Sequence, residues 1–450
     1  MEVGFLERYG FSIPKELSRE SIAGHADDES ELMRIYHGLR QLKEPQTPYF
    51  CASDLASIRA ASPGMENASA PALSESDIMD KIHGGWLGRA AGCILGKPLE
   101  CNLTLPEIKH YLKDEFPLDN YLRFPTAQRI VLDKKPALHP HVTKQCSREH
   151  LAFAMPDDDL NYTVLNLLLL EQKGFQFSAS DIGEIWALNL PPACTYGAET
   201  TAFVNYLYGM PIHSVPIYLN PFRDEIGAQI RADMFGYVCP AQPQAAAEFA
   251  FRDASFSHVA DGIYGAMFVA AMISSAFCAG AMEDIVAAGL GHIPEKSRTA
   301  SLVRNTLGWH ASLSDWEAVY DRIKESTRQY HAGHTVNNAA YVVNALLASH
   351  GDFEKGITIA AMQGHDTDCN GATVGSILGV YLGRKKLPAK WISPLNDCLK
   401  TSLRELKETA ISNLAERSFA LALQMTKRTR TWQAGSRGRL TARRGRGAGR

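Results

Sequence analysis

Apolar positions along the chain recur mainly at helical spacing. Ser76 to Trp86 opens on a serine and acids before an apolar-periodic run, as a capped helix does. Leu160 to Leu170 is strongly apolar and unbroken by glycine or proline, and Ala245 to Phe251, Thr335 to Ser349 and Pro394 to Met425 also read as helices. Glu16 to Leu42 carries mixed charge with a weaker helical period. Strand signals are few and short, so the pattern predicts an all-α fold. Gly262 to Met282 runs for 21 residues without a charge, long enough to cross a bilayer. It is rich in Ala, Gly and Ser and is flanked by Asp261, Glu283 and Asp284 with no basic anchor, which predicts a central core helix instead.

Composition adds limits to this picture. With 450 residues, 45% hydrophobic and 21% charged, the chain has enough apolar material for a large soluble core. Its nine cysteines lack paired spacing and its N-terminus lacks an apolar run, which points to reduced thiols, no signal peptide and a cytoplasmic protein. Ala61 to Ala72 is small and turn-rich, as a linker is. The expected organisation is an N-terminal extension at 1–76, a helical domain at 77–426 and a tail at 427–450. The tail holds nine basic residues and no acidic one, so its removal takes the formal charge from -3 to -12. A Gly/Arg segment of this kind is expected to be disordered. Contact with nucleic acid is one use for it, and simple solubilisation is the other.

Three stretches carry chemistry. In GHDTDCNGATVGSILG, Asp366 and Asp368 stand two apart at the start of a helix, where unpaired N–H groups and the dipole favour anions. Such a pair can bind a hard cation such as Mg²⁺ or Mn²⁺, or it can serve only as a cap. In MPDDDLNYT, Asp157, Asp158 and Asp159 precede a second apolar helix, and three adjacent acids repel one another unless a cation compensates. Two acid clusters, each heading a helix, supply enough oxygens for a two-metal site. In GGWLGRAAGCILGKPLE, glycines recur every four residues from Gly84 to Gly96, a stripe that predicts close helix packing and leaves Glu100 on the turn beyond Pro98.

Taken in order, these stretches resemble the motifs of the ADP-ribosylglycohydrolase family, GxxxGxAxGDxLGxPxE, TDDTxxT and GGDTDTNAxxxGxxxGxxxG, over roughly Ile78 to Met425. The resemblance implies a compact orthogonal multi-helix bundle with a binuclear Mg²⁺ or Mn²⁺ centre that cleaves the glycosidic bond between ADP-ribose and an acceptor. It implies metal ligation by Asp157, Asp158, Asp159, Asp366, Asp368 and Cys369. Catalytic roles fall to Glu100, Asp158 and Asp159, and substrate binding to His258, Gly364 and His365. The departures are Cys93 for the Asp of the GD pair, His365 for a glycine, Asp157 and Cys369 for hydroxyl ligands, and Leu160 for a threonine. An added carboxylate favours a hard ion, whereas a thiol favours a softer one. ADP-ribose or an ADP-ribosylated substrate is the expected partner, without a membrane. The other readings are a hydrolase of another ribosyl glycoside, a non-catalytic relative that binds ADP-ribose, a metal-dependent phosphohydrolase, and a nucleic-acid reader acting through the tail.

Overall fold

The computed structural model describes residues 1–42, 47–64, 73–100, 102–135, 140–313 and 315–445, with the side chains of 140–142 and 429–445 set aside. Among these residues there are 22 α-helices and one short antiparallel strand pair, an all-α architecture as the periodicity predicts. Seven helices frame the site: α1 (Glu75–Gly96), α2 (Asp158–Lys173), α3 (Gly197–Leu207), α4 (Asp261–Ala276), α5 (Thr335–Ser349), α6 (Thr367–Leu382) and α7 (Ile411–Gly445).

The centre of the fold is the antiparallel pair α1 and α6. Gly84, Gly88 and Gly92 on α1 meet Gly379, Gly375 and Gly371 on α6, and any Cβ added at these positions would collide with the facing carbonyl oxygen. Glycine in mid-helix costs about 1 kcal/mol relative to alanine. That cost is offset here by backbone-to-backbone van der Waals contact and Cα–H···O contacts that no other residue permits. At the end of the pair the Thr367 hydroxyl donates to the Gly96 carbonyl at 2.8 Å, tying the N-terminus of α6 to the C-terminus of α1.

The other helices wrap this pair. On α4, every residue from Asp261 through Ser274 is buried, as expected of a helix apolar on all faces. It ends at Ala276, and a separate helix begins at Met282. Among the described residues no helix is long and apolar enough to cross a membrane. On the opposite side, Trp86 Nε1–H donates to Ser418 Oγ at 2.9 Å and locks α7 onto α1.

The sequence pattern misplaced one region. Pro394 to Met425 is not one helix: a 3₁₀ turn at Ser393–Leu395 leads into strands β1 (Cys398–Lys400) and β2 (Glu408–Ala410), and helix resumes only at Ile411. Asn396 and Asp397 both take positive φ, 49° and 50°, a left-handed conformation that breaks a right-handed helix. The backbone of α7 runs from Ile411 to Gly445. Most of the expected linker Ala61 to Ala72, and residues 446–450, lie outside the described residues.

The N-terminal segment is packed against the body. Val3, Phe5, Leu6 and Tyr9 belong to the main core, and Glu2 makes a bidentate pair with Arg223 at 2.8 Å for each bond. All eight described cysteines are free thiols.

Candidate active site

Helix α2 brings the first acid cluster into place. Asp157 is its N-cap and accepts from the Asp159 N–H at 3.0 Å. Asp159, wholly buried, pairs through Oδ1 with Arg89 of α1 at 2.9 Å, and Arg89 also pairs with Asp233 at 2.9 Å. The Arg89 Nε–H donates to the Asp159 carbonyl at 3.0 Å. This buried guanidinium therefore fixes the head of α2 against the glycine-lined helix.

Helix α6 brings the second cluster. Gly364 and His365 lead into it with φ of 75° and 64°, and the His365 N–H donates to the Leu103 carbonyl at 2.9 Å. A side chain at Gly364 would strike that same carbonyl, which is where glycine is required. Asp366 stands at the N-cap position, but its side chain makes no capping hydrogen bond to the helix. Capping alone is thus not its role, in contrast to Asp157.

The two clusters face one cavity of about 490 Å³, whose wall includes Lys97, Glu100, Asp157, Asp158, Asp366 and Asp368. Cys93, Asp157 and Asp159 can each offer a ligand atom within 4.8 Å of the others, and so can Asp366, Asp368 and Cys369. Buried Asp159 Oδ2 and Asp368 Oδ1 have no hydrogen-bond partner. Burial first, then neighbouring carboxylates, raise the pKa of Asp158, Asp159 and Asp368 above the usual range and push Asp366 up to about 6. A divalent cation would satisfy the orphaned oxygens and hold these groups ionised, so the donor set fits one, with mixed oxygen and thiol character.

Lys97, on the 3₁₀ turn that follows α1, projects its ammonium into the same cluster. Its Nζ lies 2.6 Å from Asp157 Oδ2, 2.8 Å from Asp368 Oδ2 and 2.9 Å from Glu100 Oε2. Glu100 Oε1 meets Lys135 at 3.1 Å. Burial opposes ionisation of Glu100, but Lys97 and then Lys135 outweigh it and hold its carboxyl down to about 2.

The model of the ADP-ribosylglycohydrolase family matches residues 74–429, most of the chain. The chain belongs to the ADP-ribosylglycohydrolase family. None of the curated proteins compared matches it. A solved structure described as an ADP-ribosylglycohydrolase-related protein complex shares the fold, with a TM-score of 0.50 and 17% identity over 78% of this chain and 99% of that one. Membership makes this an ADP-ribosylglycohydrolase-type hydrolase fold, from a family that acts on ADP-ribosylated substrates and is generally metal-dependent.

Among the residues marked out by the family motifs, Glu100, Asp157, Asp158, Asp366, Asp368 and Cys369 line the cavity, with Asp159 behind them. Asp158 falls in neither ligand group, its carboxylate half-buried on the wall. His258, Gly364 and His365 do not line the cavity. His258 is buried, with Nδ1 sharing a 2.8 Å hydrogen bond with Ser257 Oγ and Nε2 lying 3.8 Å from Glu199. The His365 ring stacks on Tyr341 with centroids 4.7 Å apart, and its Nε2 shares a 3.0 Å hydrogen bond with the Tyr341 hydroxyl. Gly364 and His365 position Asp366 from outside the pocket.

Sequence reading missed four groups. Cys93 joins Asp157 and Asp159, and its only signal was its place in the GD pair. Lys97 sits inside a recognised motif but at a position the motif leaves open. Glu199, on α3, lines the cavity and pairs with Arg231 at 2.6 Å; burial, opposed by Arg231, pushes it up to about 7. Glu225 also lines the cavity, where burial and then Asp224 push it up to about 8. Room for Glu199 comes from Gly227, where any side chain would collide with its carboxylate. No local pattern marks either glutamate.

Proposed function

We propose that this chain hydrolyses the glycosidic bond joining ADP-ribose to an acceptor, using Mg²⁺ or Mn²⁺ held by Asp366, Asp368 and Cys369 with the Cys93, Asp157 and Asp159 group beside them. One observation carries the reading: two acid clusters far apart in sequence converge on one cavity and leave buried carboxylate oxygens unpaired. A divalent ion there supplies Lewis acidity toward ribose hydroxyls and makes water nucleophilic near neutral pH.

The chain's own groups then divide the remaining work. Asp158, half-buried and raised in pKa, accepts a proton from the attacking water. Glu100 stays ionised between two ammoniums, so its part is to stabilise the positive charge that develops at the anomeric carbon. Glu225, pushed up to about 8 by burial, can donate to the departing acceptor from the cavity wall. At the cavity wall Tyr196, 61% exposed, offers a ring on which the adenine can stack.

The test is release of free ADP-ribose from a panel of ADP-ribosylated proteins, nucleic acids and small molecules with Mg²⁺, Mn²⁺ or EDTA, beside Asp368→Ala. Cation-dependent release that the variant abolishes supports the hydrolase. Free phosphate in place of ADP-ribose would make it a phosphohydrolase. A second reading, a relative that binds ADP-ribose without cleaving it, is favoured by the Lys97 ammonium within the acid cluster. Calorimetric binding of ADP-ribose with no release from any substrate would establish that reading.

A further inference from the structure

The position of Lys97 bears on how many ions this centre takes, and it rests on the metal-dependent reading above. An ammonium has three N–H donors and no other capacity. Lys97 Nζ hydrogen-bonds Asp368 at 2.8 Å and Glu100 at 2.9 Å and forms an ion pair with Asp157 at 2.6 Å, so it meets three different carboxylates, one from each motif. The side chain is only 15% exposed, so this is a seated cation and not a surface lysine resting on an acid. Its turn is fixed by the glycine contact between α1 and α6 and by the Thr367 bond to Gly96. Asp159 Oδ2 and Asp368 Oδ1 remain buried without a hydrogen-bond partner, and Asp157 Oδ2 has only its ion pair with Lys97. Asp366 and Cys369 lie within ligand reach of Asp368.

We infer that Lys97 is a built-in counter-cation that fills one of two cation positions, so that this chain binds a single divalent ion where its motifs imply two. The ion sits on the Asp366, Asp368 and Cys369 side. A second divalent ion between Asp157, Asp368 and Glu100 would stand where the Lys97 ammonium already is, and the two like charges exclude each other.

Mn²⁺ titration of the full chain tests this by calorimetric stoichiometry and by electron paramagnetic resonance, neither of which needs turnover. The wild type is expected to take one Mn²⁺ with the six-line spectrum of an isolated ion. K97M is expected to take two, with the broadened spectrum of an exchange-coupled pair. Two ions in the wild type, no ion in the wild type, or one ion in both proteins would overturn the inference. K97Q keeps the comparison should K97M fail to fold, and the wild-type stoichiometry decides alone if both fail. One ion in the wild type and two in the variant, without ADP-ribose release, would leave this inference standing and remove the hydrolase. Release with two ions in the wild type would do the reverse.

Discussion

Gly92 and Gly371 face each other across α1 and α6 so closely that each occupies the space the other's Cβ would need. This contact sets the distance between the turn bearing Lys97 and Glu100 and the helix start bearing Asp366 and Asp368. The site's geometry therefore depends on two residues that carry no side chain.

Gly92→Ala should accordingly be costly. The added methyl meets a backbone carbonyl that belongs to a long packed helix and cannot swing away, so overpacking by about 3 kcal/mol or more is expected. Urea unfolding should show a lower midpoint with an unchanged slope, and divalent-ion affinity should fall along with stability. A wild-type midpoint would show that the helices can separate without loss.

Asp224 joins the N-terminal segment to the cavity wall. It accepts from Arg8 at 3.2 Å and lies 3.0 Å from His334 Nε2, beside the wall residue Glu225. Burial opposes its charge, yet His334 and then Arg8 hold it down to about 2. A depressed carboxylate contributes stability that is complete above its unfolded value of about 4 and lost as pH falls toward 2. Asp224→Asn should cost roughly 3 kcal/mol at pH 7, since it removes the carboxylate that partners the Arg8 guanidinium and the His334 ring. The gap between wild type and variant, read from denaturant midpoints, should close between about pH 4 and pH 2.

Glu225 predicts the alkaline limb of the activity. An acid that must hold its proton loses effectiveness as pH rises through its pKa, so the rate should fall above about pH 8. Glu225→Gln should lower kcat by about 10²-fold or more and flatten that limb. An unchanged profile would assign the leaving-group proton to another residue.

Tyr196 predicts a binding effect without a chemical one. Base stacking on an aromatic ring is worth about 1–3 kcal/mol, so Tyr196→Ala should raise KM for an ADP-ribosyl substrate by roughly tenfold with kcat little changed. Steady-state kinetics beside Tyr196→Phe, which keeps the ring, would separate stacking from a role for the hydroxyl.

Much of the fold was legible in the chain. Thr335 to Ser349 reads as a helix and is one over those same residues, because a capped, apolar-periodic segment needs no distant partner to declare itself. The four-residue glycine stripe announced a close helix contact, since it is a local pattern with one dominant physical use. Pro394 to Met425 misled because its apolar residues serve β1, β2 and the first turns of α7 in turn, and the left-handed pair Asn396 and Asp397 leaves no periodic mark. The sequence by itself determined an all-α chain with two acid-headed helices and a glycine-lined one. Only the tertiary structure decided which groups share the cavity: it set Lys97 between Asp157 and Asp368, brought in Glu199 and Glu225, and kept His258 and His365 out. These outcomes depend on contacts between segments tens to hundreds of residues apart, where charge balance and steric fit act through space and leave no trace in local spacing.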